Sequence, residues 1–469
     1  MTLRGRDALK QPDPSPPANE SGGLLRLLGL GFGLAGAVGG TIGAGILRTP
    51  GLVAAQLGNG PLILLAWLAG GIYALLGALC VAELATSVPR AGGWYVYARR
   101  AFGPWAGFTV GWMDWLGHCL GVGWVALTVG DYTAALLPGL GLDLRLLSLA
   151  PLLLFSAVQW LGLRAASGSQ QLLSLIKALA FLILVAACFL IGTPSGAAAE
   201  PISSWSSGGL SWGLMAVALV PALQPVISTY DGWHSPIYFA EEFEAAERDL
   251  PRSLLGGVIA VALIYLLVNL ALLHVLPLPQ LAASNLPVAE AAAVLVGPVG
   301  RQLITGLALL SVLGLIHASL MSAPRVLFGL ARDGLFSPAL ARVHAGGTPR
   351  AGLLLTAVTC ALLVLLGDFQ LLLGLSAFFY VALYGSGILA MLWLRLREPQ
   401  LRRPFLCWGW PLSPAIVLLG SGAFLLGALL TDSVTSLLAL LLIALAWPAR
   451  LLSQLLARLG WQEAEEPPG

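Results

Sequence analysis

The chain has 469 residues, 58% of them hydrophobic and 10% charged, with a formal net charge of +2. A soluble protein carries about a quarter charged residues, so this composition excludes a string of soluble domains. The near-neutral balance gives no sign of a nucleic-acid partner.

In chain order, Met1–Gly22 is polar and Pro-rich without an apolar signal-peptide core, which predicts a disordered tail over 1–22. The rest divides into about twelve apolar spans near the ~20 residues that a bilayer requires. The first half reads Leu24–Leu47, Leu62–Ser87, Trp105–Leu127, Leu147–Leu163, Leu172–Ile191 and Trp212–Ala240. The second half reads Leu254–Val275, Arg301–Ala323, Ala351–Leu366, Leu371–Leu394, Pro411–Leu430 and Val434–Trp447. A membrane domain over 23–448 and a polar tail over 449–469 follow. With the N-terminus inside, about twenty Lys and Arg fall in inner segments, and only Arg48, Arg145 and Arg301 fall outside. This asymmetry and the even span count both predict cytoplasmic termini in a multi-pass protein, expected in the plasma (inner) membrane. Five cysteines (Cys80, Cys119, Cys188, Cys360, Cys407) sit in or beside apolar spans without metal-ligand spacing, and read as small buried hydrophobes.

Two spans are interrupted. The first contains Gly39-Gly40-Thr41-Ile42-Gly43-Ala44-Gly45 before Pro50-Gly51, and the sixth contains Ser228-Thr229-Tyr230-Asp231-Gly232-Trp233-His234-Ser235-Pro236. Irregular backbone survives at membrane depth only where protein buries it or it lines a cavity. Matching breaks in two halves of a polytopic chain point to a transporter's substrate site. A channel would need charged or polar rings along a pore, and these spans hold few ionisable residues. The five histidines (His118, His234, His274, His317, His344) lack the spacing of an intramembrane enzyme, and no phosphate-binding loop is present. Neither a cofactor nor a metal is expected.

Gly40-Thr41-Ile42-Gly43-Ala44-Gly45-Ile46 resembles the first-helix motif of the amino acid–polyamine–organocation (APC) superfamily. The likeness continues through Pro89-Arg90-Ala91-Gly92-Gly93-Trp94-Tyr95-Val96-Tyr97, Trp160-Leu161-Gly162-Leu163-Arg164, and Ala331-Arg332-Asp333-Gly334-Leu335-Phe336. Tyr230-Asp231-Gly232-Trp233, followed by Glu241-Glu242 and Arg248-Asp249-Leu250-Pro251, resembles helix 6 of the L-type amino acid transporter branch. The resemblance implies an all-α membrane protein of twelve transmembrane helices. Its core would be a LeuT-like five-plus-five inverted repeat over about 23–191 and 211–395, with two C-terminal helices over about 411–448. It also implies secondary transport of amino acids or related amines by alternating access; sodium independence is expected from Lys177, and a proton is carried if that lysine changes protonation during the cycle. An exchanger, or a polyamine or organic cation permease, is the alternative; a transporter-like receptor or channel is the reading from another class.

A zwitterionic amino acid needs partners for both charges. Backbone N–H groups at Thr41, Ile42, Gly43, Ala44 and Gly45 suit its carboxylate, beside the positive end of a half-helix. Carbonyls of Ser228, Thr229 and Tyr230 suit its amine. Asp231 reads either as a ligand, hinting at cationic or polar substrates, or as a cap for the half-helix Gly232–Ala240. Trp233 reads as packing or a gate, and Tyr230 as a cover for the side chain. Glu241 and Glu242 are expected to pair with Arg248, Arg252 or Arg90 in an inner gate, the alternative being a solvated charged loop.

In the family pattern, Lys177 reaches the first-helix break and occupies the space of a sodium ion, with Ser319 as its hydroxyl neighbour, an ion-mimic and proton-coupling role; snorkelling to the interface is its other reading. Arg48, His234 and His317 depart from the common pattern, and their roles are open. The outer stretch Gly130–Leu147 has no cysteine, so no disulfide-linked heavy chain is expected.

Overall fold

The computed structural model describes residues 23–137, 139, 141–195 and 212–464. The tail at 1–22 and the outer loop around Ser207 lie outside the described residues.

The elements are helical throughout. They are α1 (Leu30–Thr41), α2 (Gly45–Leu57), α3 (Gly60–Ser87), α4 (Trp94–Phe102), α5 (Pro104–Leu136), α6 (Leu144–Trp160) and α7 (Leu163–Ile191). Then come α8 (Trp212–Thr229), the 3-10 turn η1 (Ser235–Glu242), α9 (Ala246–Val275), α10 (Leu278–Ala283), α11 (Pro287–Val296) and α12 (Pro298–Arg332). The chain closes with η2 (Pro338–Ala341), α13 (Arg350–Leu366), α14 (Phe369–Arg397), α15 (Leu412–Thr431), α16 (Ser433–Ala444) and α17 (Ala446–Ala464). Among the described residues, seven helices are long and apolar enough to cross a membrane, and α1 with α2, bent by 47° at their break, makes an eighth if the pair is counted as one span. The C-terminal segment expected as a tail from 449 continues as helix α17, whose span reaches Leu455.

Local chemistry sets the boundaries. Asn59 accepts from the Leu62 N–H before α3, Asp368 from Gln370 and Leu371 before α14, and Asp432 from Thr435 before α16. Each satisfies amides that the first turn leaves bare.

Helix α7 shows how the bilayer sorts residues. Gln170, Ser174, Lys177 and Phe181 recur every three or four positions on its buried face, against α1. Leu172, Leu175, Leu179, Ile183 and Leu190 face outward. This inversion of the soluble pattern follows when the outer solvent is hydrocarbon and polar groups pair inside the bundle.

Helix α3 packs along α9, α5 along α12, and α2 along α8. At the arginine-rich end of α3, Glu83 is buried and accepts from Arg395 Nε at 2.7 Å and from the Cys407 N–H at 2.7 Å. Arg403 lies 3.4 Å from the same carboxylate. These bonds fasten the lead-in to α15 onto the core.

Candidate functional site

The two broken spans meet backbone to backbone. Gly232 adopts φ +107°, open to glycine, and a Cβ at Gly40 would come within 2.9 Å of the Gly232 carbonyl oxygen. The Tyr265 hydroxyl of α9 lies 3.0 Å from the Thr41 carbonyl and 3.1 Å from the Thr229 carbonyl, so one side chain spans both breaks. The Thr49 and Thr229 hydroxyls add a 2.8 Å bond between α2 and α8.

Beside this junction lies a cavity of about 490 Å³, bordered by Gly40, Thr41, Gly43, Ala44, Gly45, Ser228, Thr229 and Asp231. The N–H groups of Gly43 and Ala44 meet no acceptor among the described residues. Gly45 abuts Thr229, whose Cγ2 would lie 2.9 Å from an added Cβ. The Ser228 carbonyl accepts from the Asp231 N–H at 3.3 Å and the Thr229 carbonyl from Tyr265, while the Tyr230 carbonyl meets no donor among the described residues.

Asp231 accepts from the adjacent Gly232 N–H at 2.8 Å and makes no side-chain cap on η1. Its carboxylate also borders a second, smaller cavity, whose walls include Tyr230 and Trp233. Three expected site residues therefore stand back from the main cavity. Ile42 is wholly buried, the Tyr230 hydroxyl donates to the Trp67 carbonyl at 3.0 Å, and Trp233 stacks on Tyr384 with centroids 5.7 Å apart.

Lys177 is fully buried, and Nζ donates to the carbonyls of Gly39 (3.0 Å) and Ile42 (3.1 Å). Snorkelling is ruled out by that burial. Ser319 is not its partner: it borders the cavity, and the residue of α12 against the ammonium is Gly314, which leaves the room that a long side chain needs.

At the arginine-rich end, Arg325 of α12 forms a two-pronged pair with Glu242, Nε to Oε1 at 2.5 Å and Nη2 to Oε2 at 2.8 Å. Arg332 grips Glu241 at 2.7 Å, with Arg90 at 3.8 Å. Asp333 accepts from Arg90 at 2.8 Å and from the Tyr95 hydroxyl at 3.2 Å, and also pairs with Arg99. The segment leading into α1 is strapped here too, for Leu28 N–H donates to the Glu242 carbonyl at 2.9 Å.

Arg248 corrects the expected gate. It pairs with its neighbour Asp249 at 2.8 Å and stays exposed, because the start of α9 points it away from η1. The acids find their partners on α12, where Arg325 and Arg332 stand seven residues apart along one helix face, and Asp333 just past its end takes Arg90 and Arg99. That spacing was a readable signal.

The departures also find places. Arg48 borders the cavity, and His234 Nδ1 lies 3.0 Å from the Tyr384 hydroxyl. His317 Nε2 lies 2.7 Å from the Ser169 hydroxyl, tying α12 to α7. Asp114, His118 and Tyr265 were not singled out from sequence, although a lone polar residue in an apolar run marks each.

A family model described as "Amino acid permease" matches residues 23–451. The chain is 29% identical to the serine/threonine exchanger SteT of Bacillus subtilis, over 90% of this chain and 95% of that protein. It is 30% identical to the human large neutral amino acids transporter small subunit 2, over 84% of this chain and 74% of that one. To the human Asc-type amino acid transporter 1 it is 29% identical, over 83% and 75% respectively.

Proposed function

The chain belongs to the amino acid permease family, and from that premise we propose that it moves amino acids across a membrane by alternating access, without sodium. It is a multi-pass membrane transporter and not an enzyme. The observation that carries the reading is the junction of two interrupted spans at Gly40 and Gly232, beside a cavity bordered by free amides.

The substrate carboxylate meets the N–H groups of Gly43, Ala44 and Gly45, near the positive end of α2. Its amine meets the Ser228 and Thr229 carbonyls, each with a lone pair to spare, and the free Asp231 oxygen, all three residues bordering the cavity. Lys177 stands where a coupling cation would join the α1 break to the bundle; its ammonium supplies permanent donors in place of an exchangeable ion. The names of the relatives favour neutral amino acids, serine and threonine among them, as substrates.

The fold reading is twelve spans, in which α1–α7 and α8–α14 form an inverted pair of five-span repeats and α15–α17 supply two more spans. Pairing of α3 with α9 and of α5 with α12 fits such a pseudo-twofold. Both termini are cytoplasmic in the plasma membrane, which makes the arginine-rich end the inner one. On that orientation the cavity faces outward, past Arg48, Tyr132 and Gln370, and the ion pairs of Glu241, Glu242 and Asp333 seal the inner side. The protein works without a covalently attached heavy chain.

Counterflow in proteoliposomes tests the proposal. Labelled serine, threonine or leucine should accumulate against excess internal unlabelled amino acid, saturably and equally in sodium and potassium buffers. Absence of saturable counterflow with every amino acid tried would overturn the transporter reading.

A further inference from the structure

Asp114 and His118, one turn apart on α5, are buried without a compensating charge. Asp114 is fully enclosed, its donors being the Tyr238 hydroxyl and the Trp94 backbone N–H, and no arginine or lysine pairs with it among the described residues. His118 is 5% exposed, and neither Nδ1 nor Nε2 has a partner. Unpaired buried polar atoms are rare in folded proteins, and both nitrogens of one imidazole, a turn from an uncompensated carboxylate, call for a cause.

Their surroundings supply one. His118 Nε2 lies 3.7 Å from Asp114 Oδ1, too long for a hydrogen bond but within range of a shared proton after a small ring movement. His118 borders the main cavity, its ring edge-on to Tyr238 at 4.9 Å and Tyr380 at 6.0 Å. Asp114 faces the other way. Its Oδ1 accepts from the Tyr238 hydroxyl of η1 at 2.8 Å, and its Oδ2 would lie 3.1 Å from a Cβ at Gly93, where α4 begins.

An ionised Asp114 beside a neutral His118 leaves one uncompensated negative charge at membrane depth, which is costly. One added proton makes the pair neutral overall, whether it rests on the carboxylate or on the imidazole. The other titratable groups around the pair are Tyr238 of η1, Tyr380 of α14, His234 and Asp231 beside η1, and Cys119 with Cys360 of α13. None of these contributes a fixed positive charge.

We propose that Asp114 and His118 form a proton-binding site, loaded from the cavity through His118 and read by the inner closure through Tyr238. A charged acceptor holds its donors about twice as strongly as a neutral one. A proton resting on the Asp114 carboxyl therefore loosens the hold of α5 on η1 and favours inward opening, and its loss tightens that hold; a proton on the imidazole leaves it unchanged. Acid on the cavity side speeds turnover. The proton arrives from the outer solution and leaves inward when η1 separates, so the charge carried is one per proton bound. Lys177, held by two carbonyls and absent from the cavity wall, is a separate site from this pair.

Two assays on the full-length protein separate this site from the transporter reading. The first uses no amino acid: unfolding temperature in detergent is followed from about pH 5.5 to 8.5, and linkage makes its slope report protons bound on folding. Asp114→Asn and His118→Gln should each have a shallower slope than the parent. The second is serine counterflow in vesicles of phosphatidylethanolamine and phosphatidylglycerol. The parent should gain about three- to tenfold between outer pH of about 8 and 6, and both variants should be flat. Parent-like pH profiles in both variants overturn the proposal. If Asp114→Asn fails to assemble, His118→Gln alone decides, by the same criterion. If the slopes differ as expected while the parent exchanges no amino acid, the proton site stands and the transporter reading falls.

Discussion

Replacing Arg325 with Met removes one half of a buried ion pair whose partner, Glu242, is wholly enclosed. The stranded carboxylate has two courses. It stays charged without a partner, at roughly 3–5 kcal/mol, or it takes up a proton. At pH 7 protonating a carboxyl with an ordinary pKa of about 4.3 costs about 3.7 kcal/mol, which caps the penalty. Glu242→Gln has no such limit, because a guanidinium does not give up its proton. Arg325 would keep the Met321 carbonyl at 2.5 Å and the Phe239 face at 4.3 Å, which soften the loss.

Because Glu242 belongs to η1 and Arg325 to α12, the loss falls on the inner closure. A cap of about 3.7 kcal/mol shifts the balance toward the opened arrangement by up to roughly 500-fold. Ala240, buried beside Glu242, reports that opening once replaced by Cys and exposed to a maleimide from the cytoplasmic side. Labelling should rise steeply in either single variant and fall most of the way back in Arg325→Met/Glu242→Gln, since a neutral pair of similar volume costs within about 1 kcal/mol of the parent. The sign with pH is also set. In Arg325→Met the penalty is present above the ordinary carboxylate range and fades as pH falls through it, because the carboxyl is then protonated in both states. A double variant that labels as fast as the singles, or singles indistinguishable from the parent, would refute the reasoning.

Further outcomes follow from the same geometry. Lys177→Met should retain amino acid binding by thermal shift yet lose counterflow by more than about tenfold, since two carbonyls beside the α1 break lose their donor; unchanged counterflow, or a sodium requirement in the parent, contradicts the ion-mimic role. Gly43→Leu should abolish binding in a properly inserted protein, since a Cβ there already reaches Leu315 Cδ1 at 2.6 Å and the longer chain enters the cavity; normal affinity would remove Gly43 from the site. A Cys at Ser337 should label from the cytoplasm and one at Gln370 from outside, and the reverse would invert the topology. Purification from native membranes should give a single polypeptide unchanged by reduction; a second polypeptide released by reductant would reveal a covalent partner.

What was legible in the sequence was largely what the bilayer enforces. The interruptions at Gly39–Gly45 and Ser228–Pro236 could be found because irregular backbone is conspicuous in an apolar run, and the structure places both beside one cavity. Lys177 was found for the same reason. Partners were harder. Glu241 and Glu242 were matched with Arg90, Arg248 or Arg252; Arg90 does approach Glu241, but the firm partners, Arg325 and Arg332, come from α12. Ser319 was matched with Lys177 by family pattern, but the ammonium turns toward the α1 carbonyls because Gly314 leaves a channel there. Tyr265 escaped notice since a phenol in an apolar helix looks like packing until the two carbonyls it joins are seen together.

Glu83 sets a timetable for manufacture. Its partner Arg395 lies 312 residues later in the chain, an interval of about 15–60 s at roughly 5–20 residues per second of synthesis. Throughout that wait α3 has entered the membrane with an acid near its end that has no counter-charge, at a cost below the roughly 2.5–3.5 kcal/mol of a charge at the bilayer centre. The acid must remain protonated, at the water interface, or sheltered by the insertion machinery until α14 and the segment carrying Arg403 and Cys407 arrive. The core is thus completed by its last-made part. A nascent chain that stalls before Arg395 presents an unmatched acid to the cell's quality control, and a ribosome pause placed just ahead of α14 would lengthen the most vulnerable stage of this protein's birth.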